Sequence, residues 1–186
     1  MHGEESLAKR AQQGDKEAFA QLYENHFDKI YRYMILRVGK KFEAEDMTQQ
    51  VFVKAYESIS SFKWKGIPFA AWLFRIARNL IIDNIRKEKK RPAVSFDESL
   101  VISDSDPRLE VERRLDIEQL VSATKHLTEA QREVISLRFA GGLSISEVAR
   151  VMGRTVGAVK ALQHSAIVAL RKVMLGGEDS EKRQRV

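Results

Sequence analysis

The chain contains no cysteine, which excludes a disulfide framework, a thiolate nucleophile and any Cys-based zinc or iron–sulfur site. Its four histidines, His2, His26, His126 and His164, are scattered, so metal catalysis has little to work with and no metal or other cofactor is expected. Only three prolines occur, and no Asn-Gly or Asp-Gly pair marks a hairpin. Long apolar runs are missing as well. Nothing approaches the ~18 residues needed to cross a bilayer, and the opening MHGEESLAKRAQQGD is charged, without the apolar core of a signal peptide, so a cytoplasmic location is expected. What remains is a chain of 186 residues, 44% hydrophobic and 31% charged, with enough apolar surface to fold and room for one large or two small domains.

The formal net charge of +6 favours a polyanionic partner, and its distribution along the chain narrows the place. Residues 1–61 are nearly neutral, whereas residues 62–91 hold nine Lys and Arg against two acids. Residues 92–112 reverse the sign, with six acids against Arg108 alone, and the remainder is basic again. The acidic stretch PAVSFDESLVISDSDPRLEVE carries two of the three prolines, several serines and no helical period, which marks a linker. Strand signals are weak throughout. The expected fold is therefore all-α, with an N-terminal helical bundle at 1–91, an acidic flexible linker at 92–118, a C-terminal helix-turn-helix domain at 119–176 and a disordered tail at 177–186.

Within the first unit, Phe19, Leu22, Tyr23, Phe27, Ile30, Tyr31, Met34 and Val38 recur at steps of three and four, which predicts a helix over 16–38 ending near Gly39. A second helix is expected from about 44 to 59, with Met47, Val51, Phe52 and Ala55 inside and Glu45, Asp46, Gln49, Gln50 and Lys54 outside. Pro68 is well placed to start a third, whose buried stripe is Phe69, Leu73, Ile76, Ala77 and Leu80. On that helix Arg75, Asn79 and Arg86 share a face with Asp83 beside them, an arrangement that suits a nucleic-acid backbone and equally a solvated surface. Just before it, Phe62 and Trp64 alternate with Lys63 and Lys65. Bases stack on aromatic faces while lysines hold phosphates, so this stretch is a candidate single-strand contact, with a core anchor as the other reading of Trp64.

In the second unit, Thr128-Glu-Ala-Gln131 and Ser144-Ile-Ser-Glu147 both have the spacing in which side chains at each end satisfy free amides, so each opens a helix. Gly153 allows a left-handed stop and Thr155 caps a longer helix reaching about Leu175. A short helix, a tight turn and a longer helix make a helix-turn-helix, whose second helix meets base edges in the major groove. With Val159, Leu162, Ala166, Leu170 and Val173 inward, Arg154, Thr155, Lys160, Gln163 and His164 are the candidate DNA contacts, Arg154 foremost because a guanidinium can grip guanine with two hydrogen bonds.

Taken together, these segments resemble the extracytoplasmic-function (ECF) type sigma factors of the sigma-70 family. The resemblance runs through GDKEAFAQLYENHFDKIYRYM (14–34), AEDMTQQVFVKAY (44–56), FAAWLFRIARNLIIDNIRKEKKR (69–91) and LTEAQREVISLRFAGGLSISEVARVMGRTVGAVKALQHSAIVALRK (127–172), in that order. It implies a non-catalytic promoter-recognition subunit of RNA polymerase for a stress or signal-dependent regulon. Its partners would be core polymerase, through the β′ clamp helices and the β flap, promoter DNA and an anti-sigma factor. It places Glu45, Asp46, Gln49, Gln50 and Lys54 toward the polymerase. Phe62, Lys63, Trp64, Lys65, Arg75, Asn79, Asp83 and Arg86 would lie near the −10 element, and Arg154, Thr155, Lys160, Gln163 and His164 near the −35 element. The chain departs from the family at Leu162, Ser165 and Ile167, where arginines are frequent. A helix-turn-helix repressor or activator is the competing class, separated by whether the chain co-purifies with core polymerase. A helical enzyme acting on nucleic acid lacks paired carboxylates, metal ligands or a phosphate loop at usable spacing.

Overall fold

The computed structural model describes residues 2–63, 67–90 and 121–183, and among them every regular element is helical. The N-terminal unit comprises α1 (His2–Gln12), α2 (Lys16–Val38), α3 (Lys41–Ser58) followed by a 3-10 turn (Ile59–Ser61), and α4 (Phe69–Lys90). The C-terminal unit comprises a helical turn at 121–125, α5 (Glu129–Ile135) running into a π turn (Ser136–Ala140), α6 (Ile145–Met152) and α7 (Val156–Arg183). The expected linker at 92–118 lies wholly outside the described residues, as do Trp64 and Lys65.

Local chemistry explains most of the boundaries. The Asp15 carboxylate accepts from the Ala18 N–H at 3.0 Å to open α2, and Gly39 closes it in the left-handed region at φ 75°. Thr128 with Gln131, and Ser144 with Glu147, form complete capping boxes at the starts of α5 and α6. Gly153, at φ 64°, turns the chain between α6 and α7. Two elements differ from expectation. α1 carries only Leu7, Ala8 and Ala11 as apolar residues, too sparse for a periodicity reading, yet Ala8 and Ala11 are buried against the bundle. α7 continues to Arg183, past Gly176 and Gly177 and into the stretch expected to be a disordered tail. A glycine weakens a helix by about 1 kcal/mol but does not by itself end one.

The core of the N-terminal unit holds Leu22, Ile30 and Met34 of α2, Met47, Val51, Phe52 and Ala55 of α3, and Phe69, Leu73 and Ala77 of α4. A row of aromatic contacts zips α2 to α3, with Phe19 edge-on to Tyr56 at 5.0 Å and Tyr23 tilted on Phe52 at 4.5 Å. Phe74 and Ile81, outside the expected stripe of α4, are also buried. Phe74 explains why. Its ring meets Tyr33 edge-on at 5.4 Å and lies so close to Gly141 that a Cβ there would sit 2.8 Å from the ring.

The two units are not separate bodies in this structure. Val134, Leu137, Leu143, Val148 and Val151 of the C-terminal unit belong to the same buried cluster as Tyr33, Phe74 and Ile81. At its edge, the Tyr33 hydroxyl donates to Glu133 Oε1 at 2.8 Å, Arg37 Nη2 lies 3.0 Å from Glu133 Oε2 and also bonds Glu129, and Arg78 Nε stands 3.9 Å from Glu133. Burial, reinforced by the Glu133 charge, pushes the Tyr33 phenol well above its usual range. Burial works against the Arg37 charge as well, but Glu133, Tyr33 and Glu129 more than offset it and hold the guanidinium protonated.

Candidate nucleic-acid interface

The α4 face expected to meet nucleic acid is present as a surface. Arg75, Asn79, Asp83 and Arg86 are all exposed, with Arg86 Nη1 3.9 Å from Asp83 Oδ1. This pair is too exposed to hold either side chain firmly, so both stay available to a ligand. Arg75 is already engaged, donating to the Arg150 carbonyl of α6 at 3.2 Å.

Ahead of α4, Lys63 is exposed but Phe62 is 6% exposed and belongs to the core. Its ring packs edge-on to Phe69 at 5.6 Å and tilts onto Trp72 at 5.0 Å. The Phe62 expectation is therefore corrected here: the aromatic–lysine alternation reads as surface, but two aromatic side chains on α4 cover this ring, so no face of it is open for a base. Instead, Phe62 anchors the loop from beneath. Gln12 holds the same loop from the side, donating to the carbonyls of Ile59 at 3.0 Å and Phe62 at 2.5 Å.

In the helix-turn-helix, Arg154 and Thr155 stand exposed in the turn, and Lys160 and His164 line the outer face of α7 over its first turns. The Thr155 hydroxyl accepts from the Ala158 N–H at 3.2 Å, so it caps α7 and retains only its own hydrogen for a phosphate. Gln163 is half-buried, and its amide oxygen accepts from Arg138 Nε at 3.2 Å, which ties it to the π turn. Val159 and Ala166 are fully buried beneath this face. Val156, exposed between Arg154 and Lys160, was not singled out from sequence; an apolar residue there suits a thymine methyl group.

The third surface is α3. Asp46, Gln49, Gln50 and Lys54 are exposed, Glu45 is half-buried 3.9 Å from Lys41, and Gln50 donates to Asp46 at 2.7 Å. Sequence reading missed the apolar residues among them: Phe42 is 63% exposed, Val53 56% and Tyr56 51%. At positions 42, 46, 49, 53 and 56 these fall on one helical face. Large exposed apolar side chains interleaved with carboxylate and amides are what a protein partner covers.

Comparison with known proteins identifies the family of both units. Residues 22–91 match the family described as Sigma-70 region 2, and residues 123–172 match Sigma-70, region 4. The chain is 39% identical over 170 residues to the ECF RNA polymerase sigma factor BldN of Streptomyces coelicolor, covering 90% of this chain and 64% of that one. It is 34% identical over 179 residues to the ECF RNA polymerase sigma factor SigW of Bacillus subtilis, covering 88% of this chain and 92% of that one. Among solved structures, the sigma factor RpoE in complex with the anti-sigma factor NepR from Bartonella quintana superposes with a TM-score of 0.69 at 28% identity, over 84% of this chain and 96% of that one. The two matched regions, their order and full-length relatives above 30% identity place this chain in the ECF group of sigma-70 family RNA polymerase sigma factors.

Proposed function

We propose that this protein docks on core RNA polymerase through α3, reads the −10 element with α4 and the loop before it, and reads the −35 element with the start of α7. The observation that carries the reading is the α3 face, where Phe42, Val53 and Tyr56 lie open to solvent on the same side as Asp46 and Gln49. A chain acting alone on DNA has no use for an apolar protein-binding face beside two cationic ones. Lys63, Asn79, Asp83 and Arg86 then contact the −10 region, together with Trp64 and Lys65. Arg154, Lys160 and His164 contact the −35 region, Thr155 through its remaining hydrogen, and Gln163 serves as a support rather than a reader. The protein itself carries out no chemistry and works in the cytoplasm; no helix among the described residues is long and apolar enough to cross a membrane.

An anti-sigma factor fits the same picture. An apolar cleft of about 480 Å³ opens between Ile35 and Leu36 of α2 and Phe139, Ile167 and Leu170 of the C-terminal unit, with Arg32 and Arg171 also among the residues that line it. It suits an amphipathic helix with an apolar face and acidic flanks. The test of the main reading is reconstitution: core polymerase mixed with this chain should start transcripts at defined sites on genomic DNA, and sequencing their 5′ ends would give both elements. No co-purification with core and no start sites above the core-alone background would overturn it.

A further inference from the structure

The half of α4 assigned to the −10 element runs out past the core. Ile81 is the last buried residue among those described on this helix, and of residues 82–87 only Ile85 packs against the hydrophobic cluster. Asn79, Asp83 and Arg86 nevertheless make one outward face, at steps of four and three, and they do so only while this stretch keeps a fixed roll about its own axis. Side-chain tips stand about 5–6 Å off a helix axis, so a roll of about 20° carries them about 2 Å. A binding constellation has to be held within about 0.5 Å. One part-buried isoleucine is a weak hold for that.

A polar bond sits at the same turn, on the opposite side. Asn84 follows Ala77 and Ile81 by seven and three residues, which puts it on their inner side of α4, and its Nδ2 donates to Glu43 Oε1 of α3 at 2.6 Å. Among residues 82–87 it is the one side chain hydrogen-bonded to another helix. An ionised carboxylate can only accept, so the amide must present its N–H here, and a charged acceptor in a part-buried place makes a short, strong bond. Glu43 is the third residue of α3, where the free amides of the helix start favour a carboxylate, so its own position is anchored before Asn84 arrives.

We propose that Glu43 and Asn84 are positioning residues for −10 recognition: a brace from α3 that fixes the roll of the overhanging half of α4 and so aims Asp83 and Arg86 together. The inference deepens the reading of α4 as the −10 face and rests on it, while the brace itself is a property of the free chain. Neither residue touches DNA in this scheme. Breaking the brace should therefore cost discrimination at the −10 element and leave −35 discrimination and the affinity for core polymerase in place, a split that a general loss of structure does not produce.

The test has two arms. In the first, holoenzyme made with the full chain is bound to a promoter fragment recovered by the reconstitution above, and to the same fragment with its −10 or its −35 element replaced. Asn84→Ala should lower the preference for the intact −10 element three- to tenfold, and Asn84→Asp, which sets two carboxylates face to face, should lower it further. Glu43→Gln keeps an acceptor and should stay within twofold of wild type. In the second arm, the chain's lack of cysteine lets Glu57→Cys on α3 and Lys87→Cys on α4, both at exposed positions, carry one pair of spin labels in the free chain. Their distance distribution should be narrow in the otherwise unchanged chain and broaden or shift with Asn84→Ala. An Asn84→Ala chain with an unaltered distribution, or one that loses −10 and −35 preference equally, would overturn the brace. If core polymerase with the unchanged chain shows no −10 preference, the reading of α4 falls instead, and the spin-label distances still decide whether Glu43 and Asn84 hold the helix.

Discussion

The side-chain amide of Gln12, the last residue of α1, donates to the main-chain carbonyl of Phe62 at 2.5 Å and to that of Ile59 at 3.0 Å. The first helix thereby holds the loop that delivers Lys63 toward α4. Gln12→Ala should cost about 1–2 kcal/mol in denaturant unfolding, the value of two ordinary hydrogen bonds. Its larger effect should appear in promoter opening, measured by permanganate reactivity of unpaired thymines, with affinity for core polymerase within twofold of wild type.

The exposed α3 face leads to the opposite pattern. Phe42→Ser and Val53→Asp remove apolar surface that touches little in the free protein, so melting should change by no more than about 0.5 kcal/mol equivalent. Binding to core polymerase should fall at least tenfold for the pair, as expected when residues near an interface centre are lost. Equal losses in stability and binding would show that the face is structural.

Arg154 and Lys160 make separable claims on DNA. Arg154→Ala should weaken binding to the preferred −35 sequence by about 1–3 kcal/mol and relax preference at one base pair, as the loss of a two-pronged guanine contact requires. Lys160→Ala should weaken all sequences alike and reduce the slope of log affinity against log salt by about one. Competition titrations of polymerase holoenzyme on duplexes differing in the −35 element would read both.

Acid should release α1. Glu4 Oε1 lies 2.6 Å from His26 Nε2; that hydrogen bond is the main cause holding the Glu4 carboxyl below its ordinary 4.5, with partial burial pulling the other way and the nearby imidazole and Lys29 charges adding to the depression. Because the folded-state value is depressed, the contribution to stability is complete above pH about 4.5 and disappears as the pH falls through the folded value. The difference in melting temperature between wild type and Glu4→Gln should therefore shrink as the pH falls below 4.5. A gap that does not change with pH would remove this pair as the cause.

The helix ends were readable because their determinants are local: Asp15 and Gly39 bracket α2, and Thr128–Gln131 and Ser144–Glu147 carry their own caps within four residues. The outward face of α7 followed from the same logic, since Val159 and Ala166 mark the inside and leave Arg154, Lys160 and His164 out. Phe62 escaped because its burial depends on Phe69 and Trp72, and alternation with lysine looks the same whether or not something covers the ring. Phe42, Val53 and Tyr56 escaped because an apolar residue off the main stripe has no sign of its own until the core's position is known. Tyr33, Arg37 and Glu133 were beyond reach of any local pattern: their partners lie about a hundred residues away, and charged residues in a helix ordinarily face water.

The length of α7 sets a practical geometry. At about 1.5 Å per residue, its 28 residues form a rod of roughly 42 Å, with Lys160 near the base and Arg183 about 35 Å further along. A fluorophore or affinity handle fused after the final helix would therefore ride well clear of the residues proposed to face the groove, whereas the same fusion ahead of α1 would crowd the helix that steadies the loop at Phe62.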